Sequence, residues 1–176
     1  MPNSPTHDLI TLVTAAGADV AYYRLSPHPD LTLATLFTAA YIFAGYACAG
    51  DLDLNSTEYH RWGPLRFLWL PYQKLVPHRS WVSHGLILGG VIRVAYLAIV
   101  TTCVFWVSLW AYSRLGPHVS ASEFTSNGWT TLNHWIHMHP SQTCAVLSGF
   151  ILAGSAHSLS DFVYSTMKRR LRAFRR

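Results

Sequence analysis

The sequence predicts an all-α integral membrane bundle of about four transmembrane helices with an interfacial inner loop, and three observations predict it. Of the 176 residues 51% are hydrophobic and only 12% are charged, against roughly 25% charged in an average soluble domain. The apolar residues gather into long stretches nearly free of charge. Basic residues concentrate between the second and third stretches and at the C-terminus. The whole chain reads as a single membrane domain.

The spans are expected at about 9–23, 31–50, 85–112 and 144–167. The first is short and contains Gly17 and Asp19, so it spans, lies re-entrant or tucks against the bundle. The second carries no charge, the third only Arg93, and the fourth only His157 and Asp161. Each of these three is close to or beyond the ~20 residues that cross the hydrocarbon core. Thr6 is placed to cap the first helix, and Asp30, after the Pro27–Pro29 turn, to cap the second. Gly50 offers positive φ for an abrupt turn into Asp51 and Asp53. Tyr59, Arg61, Trp62, Trp69, Tyr72 and Lys74 suit the headgroup region, which predicts an interfacial helix from about Leu65 to Leu75. The outer loop from Ser113 to Thr143 holds His134, His137 and His139 near Trp129 and Trp135. It offers a second metal site or an interfacial aromatic segment, and the latter is favoured because no carboxylate accompanies these histidines except distant Glu123.

With four spans the N-terminus, the loop after Asp51 and the tail share one face. Ten of the thirteen Lys and Arg residues then lie on that face, which the positive-inside rule makes cytoplasmic. No secretory signal pattern precedes the first stretch, so the N-terminus is expected intact. The tail, 168–176, holds six basic residues in nine. Contact with anionic membrane lipid, at about 1 kcal/mol per basic residue, is expected there rather than with nucleic acid. Cys48, Cys103 and Cys144 have no CxxC spacing and read as packing residues.

Ionisable residues stand where the apolar stretches begin and end: His7 and Asp8, Asp51 and Asp53, His78 and His84, His157 and Asp161. Burying such groups without a partner costs several kcal/mol, and a metal ion is the simplest common partner. His157 and Asp161, four apart, share one helical face. Alone, His157 reads equally well as an interhelical donor, Asp161 as the partner of a tail arginine, and Asp51 and Asp53 as loop caps. Together, four chain segments converging on one membrane face weaken those readings. A mixed nitrogen and oxygen set suits zinc, manganese or iron better than copper(I).

The Thr6-His7-Asp8 start, the Asp51-Leu52-Asp53-Leu54 turn with Ser56, the run from Arg61 and Arg66 through Pro71, Tyr72, Gln73, Lys74, Leu75, Val76, Pro77, His78 and Arg79 to Ser83 and His84, and the closing His157 and Asp161 resemble a family of uncharacterised metal-binding membrane proteins found largely in cyanobacteria. More distantly the chain is similar to the LexA-regulated, membrane-bound metal-dependent hydrolases. These share a Thr-His start, a Pro-Asp-X-Asp turn and a His-Arg-Gly-X-Thr-His-Ser block. Here Gly50 stands in place of that proline, Ser80 of that glycine and Ser83 of that threonine, while the candidate ligands are kept.

The functional expectation is a membrane enzyme of a bacterial plasma or thylakoid membrane that uses one or two divalent ions to hydrolyse a lipid or phosphoester. His7, Asp51, His78, His84, His157 and Asp161 are the candidate ligands. Asp8 or Asp53 serves as supporting partner or general base, and Arg79 holds a phosphate oxygen or marks the cytoplasmic face. The rival is a non-catalytic subunit or assembly factor of a membrane complex, tied together by a structural metal. A metal transporter fits less well, because transport sites lie near the bilayer midplane.

Overall fold

The computed structural model describes residues 4–77, 80, 85–115 and 121–174, and among these the chain is helical with no strand. In chain order come α1 (Ser4–Leu25), α2 (Leu31–Ala47), a 3-10 helix (Gly50–Asp53), α3 (Thr57–Arg61), a second 3-10 helix (Gly63–Trp69), α4 (Leu70–Leu75), α5 (Leu88–Leu115), α6 (Ala121–Met138) and α7 (Pro140–Phe174). Three segments are long and apolar enough to cross a membrane: Leu31–Asp53, Leu88–Arg114 and Pro140–Phe174. That is consistent with membrane insertion. α1 is long enough, at about 33 Å for its 22 residues, but carries Asp8, Asp19 and Arg24 and is not among the three.

α1 and α2 form an antiparallel hairpin. Asp30 caps α2 as expected, its Oδ1 accepting from the Thr32 and Leu33 amides at 2.6 and 3.3 Å. Thr6 is not a cap: α1 already begins at Ser4, which leaves Thr6 inside the first turn. The polar residues of α1 find partners on α2. The Thr38 hydroxyl approaches both Asp19 oxygens at 2.8 and 2.7 Å, and Tyr41 donates to Thr14 Oγ1 at 2.8 Å. Such interhelical bonds keep a carboxylate tolerable in an otherwise apolar bundle.

α7 makes its most extensive contact with α2. Gly149 permits it, since a Cβ there would come within 2.4 Å of the Phe37 carbonyl oxygen. α5 lies antiparallel on the other side of α7, where Gly90 meets Ile151 and the Ser155 hydroxyl donates to the Leu86 carbonyl.

The loop between α2 and α5 folds across one end of the bundle. Trp62 Nε1 donates to the Ala47 carbonyl at 2.7 Å, closing the C-terminus of α2. Gln73 Nε2 donates to the Leu52 and Leu54 carbonyls at 3.1 and 2.8 Å, which fixes the turn carrying Asp51 and Asp53. The expected headgroup-resting aromatics divide between two environments. Trp69 and Tyr72, three apart and so on one face, are buried against Tyr96, whereas Leu65, Phe67, Leu70 and Leu75 face outward. The expected role of Gly50 is also corrected. Among the described residues the positive-φ glycine is Gly63, at 51°, and Gly50 instead opens a 3-10 turn.

On the far side, the segment expected as an outer loop is largely helical, as α6. α7 begins at Pro140, a residue suited to the first helical turn, and continues through the expected tail to Phe174. Of the three cysteines only Cys48 is buried, so a packing role inside the chain fits that one alone.

Candidate metal centre

Four side chains meet at the end of the bundle where α1 starts, α2 ends and the second half of α7 arrives. His7 is the fourth residue of α1, Asp51 lies in the 3-10 helix after α2, and His157 and Asp161 stand one turn apart on α7. One donor atom from each lies within 4.8 Å of every other, and this is the one such cluster among the described residues. Both histidines are buried.

The distances have a consistent pattern. His7 Nε2 is 3.3 Å from Asp161 Oδ1, within ion-pair range but outside hydrogen-bond geometry. His157 Nε2 is 3.7 Å from Asp161 Oδ2 and 3.8 Å from Asp51 Oδ2. The two imidazoles stack with centroids 4.1 Å apart and 25° between their planes. Donor atoms about 2.1 Å from a central zinc ion would stand about 3.4 Å from one another in a tetrahedron. The three separations above, two of them to different oxygens of Asp161, run from 3.3 to 3.8 Å, and the four donors together span up to 4.8 Å, so binding an ion would draw them slightly inward.

Ser160 stands behind the His7 ring. Its hydroxyl donates its single proton to the His157 carbonyl at 2.7 Å, which leaves an oxygen lone pair facing His7 Nδ1 at 3.3 Å. That oxygen can accept from Nδ1–H, an arrangement that turns His7 Nε2 toward the carboxylate oxygens as a ligand atom. A proton or a metal cation can bridge Nε2 and the carboxylate oxygens it faces. A proton would serve one such contact; a divalent ion serves all four residues, and a ligand histidine normally shows this kind of outer hydrogen bond. The donor set fits a metal ion.

The other candidate residues fall elsewhere. Asp53 is buried but turned away from Asp51, because positions two apart in a three-residue-per-turn helix point into different sectors; it acts electrostatically on Tyr72 and Arg93. Asp8 follows His7 by about 100° around α1 and is held by Arg61, with Nη1–Oδ1 at 2.9 Å and Nη2–Oδ2 at 2.6 Å. That bond raises the Arg61 pKa above its ordinary value, opposed by partial burial. Burial raises the Tyr72 phenol, with the Arg93 charge pulling the other way, so Tyr72 stays protonated. His78, Arg79 and His84 lie outside the described residues.

Sequence reasoning missed Ser160. Nothing distinguishes one helical serine from another until the ring behind it is known. The Arg61–Asp8 pair was likewise invisible, because 53 positions separate its members.

Residues 2–171 match a family described as "Uncharacterized metal-binding protein (DUF2227)". No match was found among curated proteins or among solved structures.

Proposed function

The chain belongs to this family of metal-binding proteins, and we propose from that premise that it is a membrane-embedded metal-dependent hydrolase. It acts on a lipid or phosphoester at the cytoplasmic face. The observation that carries the reading is His7, backed by Ser160 at Nδ1 and facing Asp161 through Nε2, with His157 and Asp51 completing a donor set of two nitrogens and two carboxylates. Zinc, manganese and iron all suit that set.

His7, Asp51, His157 and Asp161 hold the ion, and Ser160 backs the His7 ring at Nδ1. When bound, such an ion supplies Lewis acidity toward an ester oxygen. Asp53 lies outside the ligand cluster, in the neighbourhood of Tyr72 and Arg93, and is assigned a supporting electrostatic role there. Asp8 is not assigned as a general base, since both of its oxygens are engaged by Arg61. His78 and His84 remain candidates for a second ion. The membrane setting is supported by the three apolar helices and by the outward hydrophobic surface of α5, including Ile99, Trp106, Val107 and Trp110. The basic loop and tail support a cytoplasmic placement of the centre. Labelling of single cysteines placed at Asn55 and near Arg172 from either side of the membrane tests this; labelling from outside alone rejects it.

One observation favours a structural role instead: the same four ligands tie α1, the end of α2 and α7 together. A structural site is closed, whereas a catalytic one keeps an open position. Metal analysis of the purified full chain, with assays on phosphomonoesters and phospholipid esters, decides between the two. Turnover that disappears on chelation and in His157→Ala and Asp161→Ala supports the hydrolase. Bound metal, a closed four-coordinate spectrum after cobalt substitution and no turnover support the structural tie.

A further inference from the structure

Arg93 enters α5 one and a half turns from its start and is 1% exposed. Its Nε, Nη1 and Nη2 are all buried, and none has a hydrogen-bond partner among the described residues. An uncompensated guanidinium in such a place costs several kcal/mol, so folding retains it only if something answers its charge. The chain makes room for it deliberately: Gly154 on α7 lies so close that a Cβ there would be 2.5 Å from Nη2. Gly154 precedes His157 by three positions and Asp161 by seven, so the guanidinium lies beside the helical face that carries both candidate ligands.

Its surroundings offer further donors without acceptors. The Tyr72 hydroxyl, which shares an electrostatic neighbourhood with Arg93, is buried and has no hydrogen-bond partner among the described residues. The same holds for Ser158 Oγ, one turn beyond Gly154 on α7. Asp51 and Asp53 act on Arg93 through space, and no hydrogen bond joins the guanidinium to a described residue. Guanidinium is donor-only, phenol and hydroxyl can both donate, and what the group lacks is an acceptor with several oxygens. A carboxylate would be exhausted by the arginine fork alone. A phosphoryl group has oxygens for the fork, for Tyr72 and for a neighbouring ion.

We propose that Arg93, with Tyr72 beside it, is the phosphoryl-binding subsite of the His/Asp centre. The proposal rests on the metal-centre reading above and gives its substrate a chemical class. The phosphoryl group belongs either to a soluble phosphoester or to a lipid headgroup.

The test uses the metal-loaded full chain in a neutral detergent, with inorganic phosphate as probe, followed by calorimetric titration and by the shift in melting temperature. Metal content is measured on every sample. Wild type binds phosphate and melts higher in its presence. Arg93→Gln loses the binding, and Arg93→Lys, which keeps the charge but not the fork, weakens it about tenfold or more. Gly154→Ala moves the guanidinium without removing it and weakens phosphate binding too. It therefore decides the matter if Arg93→Gln fails to fold. Metal content stays at the wild-type level in the folded variants. Phosphatidylcholine vesicles with and without phosphatidic acid identify the source. Arg93-dependent competition by phosphatidic acid means a headgroup, and competition by a soluble phosphomonoester alone means a soluble substrate; either supports the proposal. Wild type with full metal but no phosphate binding overturns it, as does equal binding by wild type, Arg93→Lys and Gly154→Ala. Wild type without metal overturns the metal-centre reading first, a result the metal analysis shows separately.

Discussion

The imidazoles of His7 and His157 stack 4.1 Å apart although they come from opposite ends of the chain. The two buried rings turn their Nε2 atoms toward carboxylates, an arrangement that a cation held in common stabilises. The centre is therefore a joint between α1 and α7 as much as a site on either.

Removing a ligand should loosen that joint. His157→Ala and Asp161→Ala are expected to lower metal content and melting temperature together. Binding to the folded form alone contributes about 2.7 kcal/mol at a hundredfold excess over the dissociation constant. Chelation of wild type should imitate both variants. His134→Ala and His137→Ala, on the exposed surface of α6, should change neither quantity. If all four substitutions behave alike in metal analysis and thermal melts, the centre is misassigned.

Ser160→Ala tests the tautomer argument. Without the hydroxyl, His7 Nδ1 loses the partner that holds its proton, and loss of such a supporting bond usually costs about 10–100-fold in metal affinity. The ligands themselves are untouched, so saturating metal should restore full occupancy. A metal titration that matches wild type would show that Ser160 only caps its own helix turn.

Asp8→Asn separates the neighbour of a ligand from the centre. Its partner Arg61 is partly exposed, and such pairs are worth about 0.2–1 kcal/mol. We expect a small fall in melting temperature and no change in metal content. Loss of metal on this substitution would bring Asp8 back into the site.

How much of this the sequence discloses depends on the kind of interaction. His157 and Asp161 are legible because a fixed helical spacing places them on one face, and His7 and Asp51 because polar groups at the ends of apolar runs demand a partner. The burial of Trp69 and Tyr72 is not legible. An aromatic, basic loop reads the same whether it rests on lipid or folds under the bundle, and only the Tyr96 ring on α5 decides it. Gly50 was legible as a turn but not as a 3-10 turn, because the Gln73 amide that fixes it comes from far along the chain. Arg93 was conspicuous as a lone charge, yet its depth beside Gly154 depends on the packing of α5 against α7.

The helix contacts that position the ligands should be sensitive to a single methyl group. A Cβ at Gly149 would sit 2.4 Å from the Phe37 carbonyl oxygen and 3.2 Å from the Tyr41 amide. Both are backbone atoms that cannot swing aside, so in Gly149→Ala the two helices must part. Asp51 follows α2 and His157 follows α7, so their 3.8 Å separation widens with the gap. We expect a loss of about 1–3 kcal/mol, the usual cost of overpacking, accompanied by weaker metal binding. Gly45→Ala meets both γ atoms of buried Thr11, at 2.3 and 2.6 Å, and rotation of that β-branched side chain cannot clear both, so it should also lose stability, but at the α1–α2 contact. Gly128→Ala meets nothing within 4 Å in the middle of α6 and should gain about 0.4–1 kcal/mol through the unfolded state. Tryptophan-fluorescence melts and metal titrations of the three variants check the order. Gly149→Ala at wild-type stability and affinity would mean that α2 and α7 do not meet at this contact.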